Sequence, residues 1–229
     1  GVAHTNFKIT QTNGAEVFIL SNASGMIIDS ITVVPAQKSH SRGRGLNGGP
    51  VWSVFINPTP NTNNVGAMLE YATKPIFSQT SGYYGGAINL TLSSSDPNAI
   101  IYYTTDGGEP SNSSNLYSSP INISTTSVVK AVAYSINSSV PSSFIEYNTF
   151  FINDTHTIPI LSVSGDSVAV LIEDGVRTLG GGWGGPPHEP QGTIEWFDEN
   201  GVLIDKGSGE FNKHGNDSWA YDQRGFDYV

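Results

Sequence analysis

The chain has 229 residues, with 10 Lys plus Arg against 20 Asp plus Glu, a formal charge of −10 and only 13% charged residues. The acidic balance leaves no basic stripe to neutralise phosphates, which excludes nucleic acid as a partner. The absence of cysteine excludes disulfides, thiolate metal sites and cysteine nucleophiles, and no apolar run reaches the length of a membrane span.

In chain order, sustained helical spacing is absent, and short apolar or alternating runs stand in its place. Strands are predicted over 16–20, 26–34, 51–56, 88–92, 100–104, 127–134, 144–152, 158–163, 167–172, 193–197 and 201–204. Turn signals such as Asn13-Gly14, Asn47-Gly48-Gly49-Pro50, Asp106-Gly107-Gly108 and Asn200-Gly201 separate them. Many short strands at this spacing predict an all-β chain of tandem sandwich modules. Pro58 and Pro60 within 57–66 cannot donate to a ladder, so that stretch reads as a linker. The polar run 153–157 is a second break. The expected domains are therefore 1–64, 65–153 and 154–229.

In the first segment, Lys38, Arg42 and Arg44 concentrate the positive charge. They could meet an anionic polymer. The expected alternative is a solvated loop in which Arg42 reaches a carbonyl or carboxylate of its own domain. His4-Thr5-Asn6-Phe7-Lys8-Ile9, Gly14 to Leu20, Gly25 to Ile31, Ser41-Arg42, Trp52 and Pro58-Thr59-Pro60 follow one another in an order that resembles the second half of a lamin-tail domain. That resemblance implies an immunoglobulin-like sandwich entered partway. A half-sandwich of this size leaves edge strands unpaired and little surface buried, so the expectation is a piece of a longer chain.

In the middle segment, Ile100-Ile101-Tyr102-Tyr103-Thr104-Thr105-Asp106-Gly107 predicts a strand running into a hairpin turn of the primed type. Ile101 and Tyr103 should face one way and Ile100 and Tyr102 the other, so one tyrosine is core and the other surface. Asp106 is expected to hold the turn. With Glu109 it offers too few oxygens for calcium. Together with Pro75 to Ser78, Ile88 to Leu92, Asn115 to Tyr117, Pro120 to Ile123 and Val128 to Ala133, this stretch resembles the chitobiase/β-hexosaminidase C-terminal type of domain. The resemblance implies an immunoglobulin-like accessory unit without catalytic residues. Tyr83, Tyr84, Tyr102 and Tyr117 could form a glycan-stacking platform; the bland alternative is packing with hydroxyls on backbone partners.

In the last segment, Gly192 to Gly201, Gly209 to Ser218 and Asp222 to Phe226 resemble the N-terminal part of a CotH-like domain, an atypical protein-kinase-like family. That resemblance implies nucleotide contacts at Lys213, Ser218 and Arg224, with ATP and Mg²⁺ or Mn²⁺ as cofactors of a longer, active parent. The pattern departs from the family's: Trp219 follows Ser218, and Arg224-Gly225 stands where a lysine is usual. The acids that would hold metal for phosphoryl transfer are not in this stretch. No catalytic residue, no metal site and no cofactor are therefore expected of the chain itself. The glycine-rich run 180–187 lacks the Gly-Lys-Ser/Thr of a phosphate loop. His156, His188 and His214 lack metal-ligand spacing.

Seven Asn-x-Ser/Thr sequons occur, but the resemblances together point to a bacterial protein, in which N-glycans are not expected. The expected whole is a secreted, cell-surface, structural or adhesive piece. Its partners would be other domains of the parent chain, cell-surface proteins or glycans.

Overall fold

The computed structural model describes residues 16–45, 48–173, 189–214 and 226–228. The chain divides into two compact units, 1–70 and 71–229.

The first unit contains two antiparallel hairpins. In one, β1 (Val17–Ser21) pairs with β2 (Ile27–Thr32). Their turn is held by Asn22, whose Oδ1 accepts the Ser24 and Met26 N–H groups at 3.1 and 2.9 Å. In the other, β3 (Ser41–Arg44) pairs with β4 (Trp52–Phe55). Residues 57–66 do not run free: Asn64 Nδ2 donates to Arg44 O at 2.9 Å, and Met68 bridges Val54. Of the basic residues, Arg42 and Arg44 lie on β3 and Lys38 in the turn before it, and the two guanidiniums are used internally. Arg42 donates to Pro35 O and to both Glu70 oxygens, and Arg44 to both oxygens of Asp29 and to Pro50 O. The Arg44 hydrogen bonds hold the Asp29 carboxyl below its usual value.

The second unit begins with β5 (Ile76–Phe77), β6 (Gly82–Tyr84), β7 (Ile88–Leu90), β8 (Leu92–Ser93), β9 (Ile100–Thr104), β10 (Asn115–Leu116), β11 (Ile121–Ile123), β12 (Ser127–Tyr134) and β13 (Glu146–Ile152). Five of these form one sheet in the order β10-β9-β12-β13-β6, antiparallel except for β13 with β6. The short pairs β5-β8 and β7-β11 supply the opposite layer. Between the layers, Ile101, Val129, Ala131, Ala133, Phe150 and Ile152 pack with Leu90, Leu92, Ile121 and Ile123. Alternation of side chains makes β12 inward at odd positions, and Val129, Ala131 and Ala133 carry the core there.

A second sheet follows, in the order β14 (Ile160–Ser164), β15 (Gln191–Phe197), β16 (Leu203–Lys213) and β17 (Phe226–Tyr228). Residues 167–172 are expected as a strand, but 168–172 belong to a helix, α1 (Val168–Glu173). The run Val168-Ala169-Val170-Leu171-Ile172 is continuously apolar, so periodicity could not separate the two states. Packing decides: Val168 and Leu171, one turn apart, bury against Phe211 with Val163, Ile194 and Phe226 around them. Apart from this short helix the described residues with regular structure are strands, as expected of an all-β chain.

The Asp106-Gly107 turn is not of the primed type, since only Gly107 has positive φ, +79°. β9 reaches its partner β10 through residues 105–114 instead of a two-residue loop. Asp106 does hold the turn: its Oδ1 accepts the Gly108 N–H at 3.0 Å.

Candidate functional site

The five-stranded sheet has a second face, opposite the core, which carries Tyr83, Tyr102, Lys130, Val132, Thr149 and Phe151 by register. Part of it is covered by the second sheet, and that joint is held by hydrogen bonds, ion pairs and ring contacts. Phe197 on β15 meets Tyr83 and Phe151 edge-on, with ring centroids 6.4 and 5.2 Å apart. Tyr83 stacks on Phe151 at 4.5 Å and lies under Gly201, where a Cβ would stand 2.5 Å from the ring.

At the centre is Glu195, 1% exposed. Ser81 Oγ lies within hydrogen-bond reach of its Oε1, and Thr149 Oγ1 donates to its Oε2 at 2.5 Å. Burial pushes this carboxyl up, against the opposing influence of the two hydroxyls and of Lys206. Lys206 is the register partner of Glu195 on β16, but its Nζ goes to Glu146 Oε1 at 2.5 Å, Tyr147 O at 3.1 Å and Asn148 Oδ1 at 3.3 Å. Lys74 takes the other Glu146 oxygen at 2.7 Å. Burial alone would raise the Glu146 carboxyl, but the two lysines outweigh it and hold it down. Burial raises the Tyr147 hydroxyl far above its ordinary value.

At the other end of the joint, Lys130 ends on Glu109 Oε1 at 2.5 Å. The Glu109 N–H donates to Asp166 Oδ1 at 2.8 Å. Gly107 and Gly108 fit against Ser164 and Asp166 so closely that a Cβ would come within 2.9 and 2.6 Å of them. The Asp-Gly-Gly signature thus serves as a docking edge for the second sheet. Asp106, Glu109 and Asp166 are each occupied by an N–H or an ammonium, and among the described residues no group of three or more His, Asp or Glu could hold a metal ion.

The four tyrosines considered as a glycan platform are spread over two faces. Tyr84 is on the core side, with its hydroxyl on Thr80 O at 2.6 Å. Tyr117 packs there beside Tyr103. Tyr83 is in the joint. Tyr102 is on the outer face, edge-on to Tyr134 at 5.6 Å, with exposed Ile100 and Leu116 at neighbouring register positions. The expected split of Tyr102 and Tyr103 therefore holds, with Tyr103 the core member. Of the nucleotide candidates, Lys213 lies on β16 opposite Phe226, while Ser218 and Arg224 fall outside the described residues.

Glu195, Lys206, Thr149, Ser81 and Lys130 were not singled out from sequence. The available signal was a charge inside an apolar run: Lys130 in Val-Val-Lys-Ala-Val, and Glu195 in Thr-Ile-Glu-Trp-Phe. Such charges are almost never fully buried unless paired.

Residues 79–144 match the family model described as the chitobiase/beta-hexosaminidase C-terminal domain. The match does not extend to the lamin-tail-like or CotH-like stretches. No curated protein and no solved structure matches the chain. The central module is thus similar to a carbohydrate-associated, immunoglobulin-like domain, and it is built as a sandwich.

Proposed function

We propose that the chain is a non-catalytic, carbohydrate-associated presenting module of an extracellular bacterial surface protein, flanked by lamin-tail-like and CotH-like segments. The observation that carries this reading is the use made of the polar groups in the module that resembles the chitobiase C-terminal domain. Its buried Ser81 and Thr149 hydroxyls and its buried Lys130 ammonium are spent on holding it to the second sheet, which is the design of a stiff spacer. A reacting centre would keep some of them turned toward a substrate. Antibody to the chain should label intact cells that produce it, and the label should vanish on protease shaving. The purified chain should release no product from an aryl N-acetyl-β-glucosaminide. Labelling seen only after permeabilisation, or measurable turnover, would refute this reading.

A second reading, glycan binding, is favoured by one observation: the Tyr102–Tyr134 pair with Ile100 and Leu116 on the outer face. Aromatic faces suit sugar rings. Retention on insoluble chitin that is lost in Tyr102→Ala would support it over the pure spacer.

A further inference from the structure

Ser81 Oγ lies against two acceptors, Asn148 Oδ1 at 2.9 Å and Glu195 Oε1, yet a serine hydroxyl carries one proton. The amide of Asn148 cannot be turned over to relieve this. Its Nδ2 donates to Gln79 O at 3.0 Å and its Oδ1 faces Lys206 Nζ at 3.3 Å. The reverse orientation would set oxygen against carbonyl and NH₂ against ammonium. Were Glu195 a carboxylate, Ser81 could serve only one acceptor, and two oxygens would face each other where Ser81, Asn148 and Glu195 are all buried. On the other side, Thr149 gives its proton to Glu195 Oε2 and so must accept from Ser162 Oγ at 2.7 Å.

We propose that Glu195 is a proton-binding site, a neutral carboxylic acid whose Oε1–H donates to Ser81 Oγ while Ser81 donates to Asn148 Oδ1. One bound proton then completes the hydrogen bonds that join the five-stranded sheet to the second sheet. When it leaves, the joint loosens. The groups around the site agree. Lys206 is the cation beside Glu195, but it is committed to Glu146 and the Tyr147 carbonyl. Tyr147, Tyr228 and Asp205 can contribute only negative charge. Desolvation favours the uncharged form, and burial raises this carboxyl.

The sign follows. A carboxyl that holds its proton more tightly in the folded chain adds stability in full below the unfolded value of about 4.3. That stability is lost as pH rises through the folded value. Between the two values the folding constant falls by up to about tenfold per pH unit for one proton, and above the folded value it no longer changes with this group.

The test uses the full chain with isotope-edited infrared spectroscopy and thermal melts. Wild type should keep the carbonyl stretch of a protonated acid at a pH where exposed carboxyls, with values of about 4, have ionised. Glu195→Gln, which can donate and accept in the same places, should lack that band, and its stability should gain on wild type as pH rises. Absence of the band in wild type, or a wild-type-to-variant difference independent of pH, overturns the proposal. If Glu195→Gln does not fold, Ser81→Ala decides. Loss of the acceptor must move the band in frequency, and an unmoved band overturns the proposal.

Discussion

Lys130 sits in the middle of β12 with none of its side chain exposed, and its ammonium meets Glu109 Oε1 at 2.5 Å. Its register neighbours are Thr104 on β9 and Tyr147 on β13, so it rises from the centre of the sheet and not from an edge. Among the described residues, the 105–114 connection, folding back over the outer face, and the Ser164 carbonyl at 3.4 Å bring it partners. An ammonium taken from water is tolerable only when paired and hydrogen-bonded. The pair therefore fixes the position of the turn, and through the Glu109 N–H and Asp166 it fixes the turn to the second sheet.

Removing one partner should cost more than removing both. Glu109→Gln strands a buried charge, and the expected loss is about 3 kcal/mol, the low end for a broken buried pair because Glu109 is partly exposed. Lys130→Met in the same background should restore most of it, since an apolar side chain of similar length needs no counter-ion. Urea denaturation of the two single variants and the double variant reads the cycle. Equal stability of Glu109→Gln and wild type would show that the pair holds nothing.

Gly201 and Tyr83 make the opposite kind of contact, one of shape. Gly201 has φ of +78°, and a Cβ there would stand 2.5 Å from Tyr83 Cδ2. Gly201→Ala therefore suffers twice: about 1–2 kcal/mol for an L-residue in the left-handed region and about 1–3 kcal/mol for overpacking. Tyr83→Ala should remove the second penalty and leave the first. A double variant whose loss is the plain sum of the singles would mean the ring and the glycine do not meet.

Strand identity was legible where side chains alternate over a sandwich core. Residues 100–104 and 127–134 were expected as strands with the bounds β9 and β12 have, because their Ile, Val, Tyr and Thr content fits a pleated, half-buried surface. Two-residue strands such as β5, β8 and β10 carry too few residues to show a period. Most of β16 reads Asp-Lys-Gly-Ser-Gly-Glu, a polar composition with no strand signal, so the expected strand stops at 204. It is a strand because its face toward the first sheet meets Glu195 and Thr193, which want polar neighbours. The joint was illegible for a related reason. Its residues are scattered along the chain from Lys74 to Lys206, and nothing in the spacing of Ser81, Thr149 and Glu195 announces that they meet. Of the tyrosines, Tyr83 and Tyr84 are adjacent in sequence, and adjacency in a strand puts them on opposite faces.

The acid side of the stability profile should belong to Glu146. Its carboxyl is held low by Lys206 and Lys74 against the pull of burial. A depressed folded value gives stability that is full above the unfolded value of about 4.3 and is lost as pH falls through the folded one. Melting temperature should therefore drop below about pH 4, and Glu146→Gln should flatten that drop while lowering stability near neutrality. A variant whose acid limb parallels wild type would place the titration elsewhere.

The joint should also make residues 71–229 unfold as one body. Val132, Thr149 and Phe151, like Lys130, are almost fully buried on the face toward the second sheet, and separating the sheets would expose them along with an uncompensated charge. Tryptophan and tyrosine report the two sides separately. Residues 71–153 contain no tryptophan and eight tyrosines, whereas Trp183, Trp196 and Trp219 all lie beyond 153. In a 71–229 chain, tryptophan emission and near-ultraviolet tyrosine dichroism should follow one denaturation curve, because coincident probes mark a two-state transition. Residues 71–153 alone should bind a hydrophobic dye and melt at a lower denaturant concentration. Two separated transitions in the longer chain would mean that the Glu195 and Lys130 contacts are too weak to couple the sheets, and that each sheet stands on its own core.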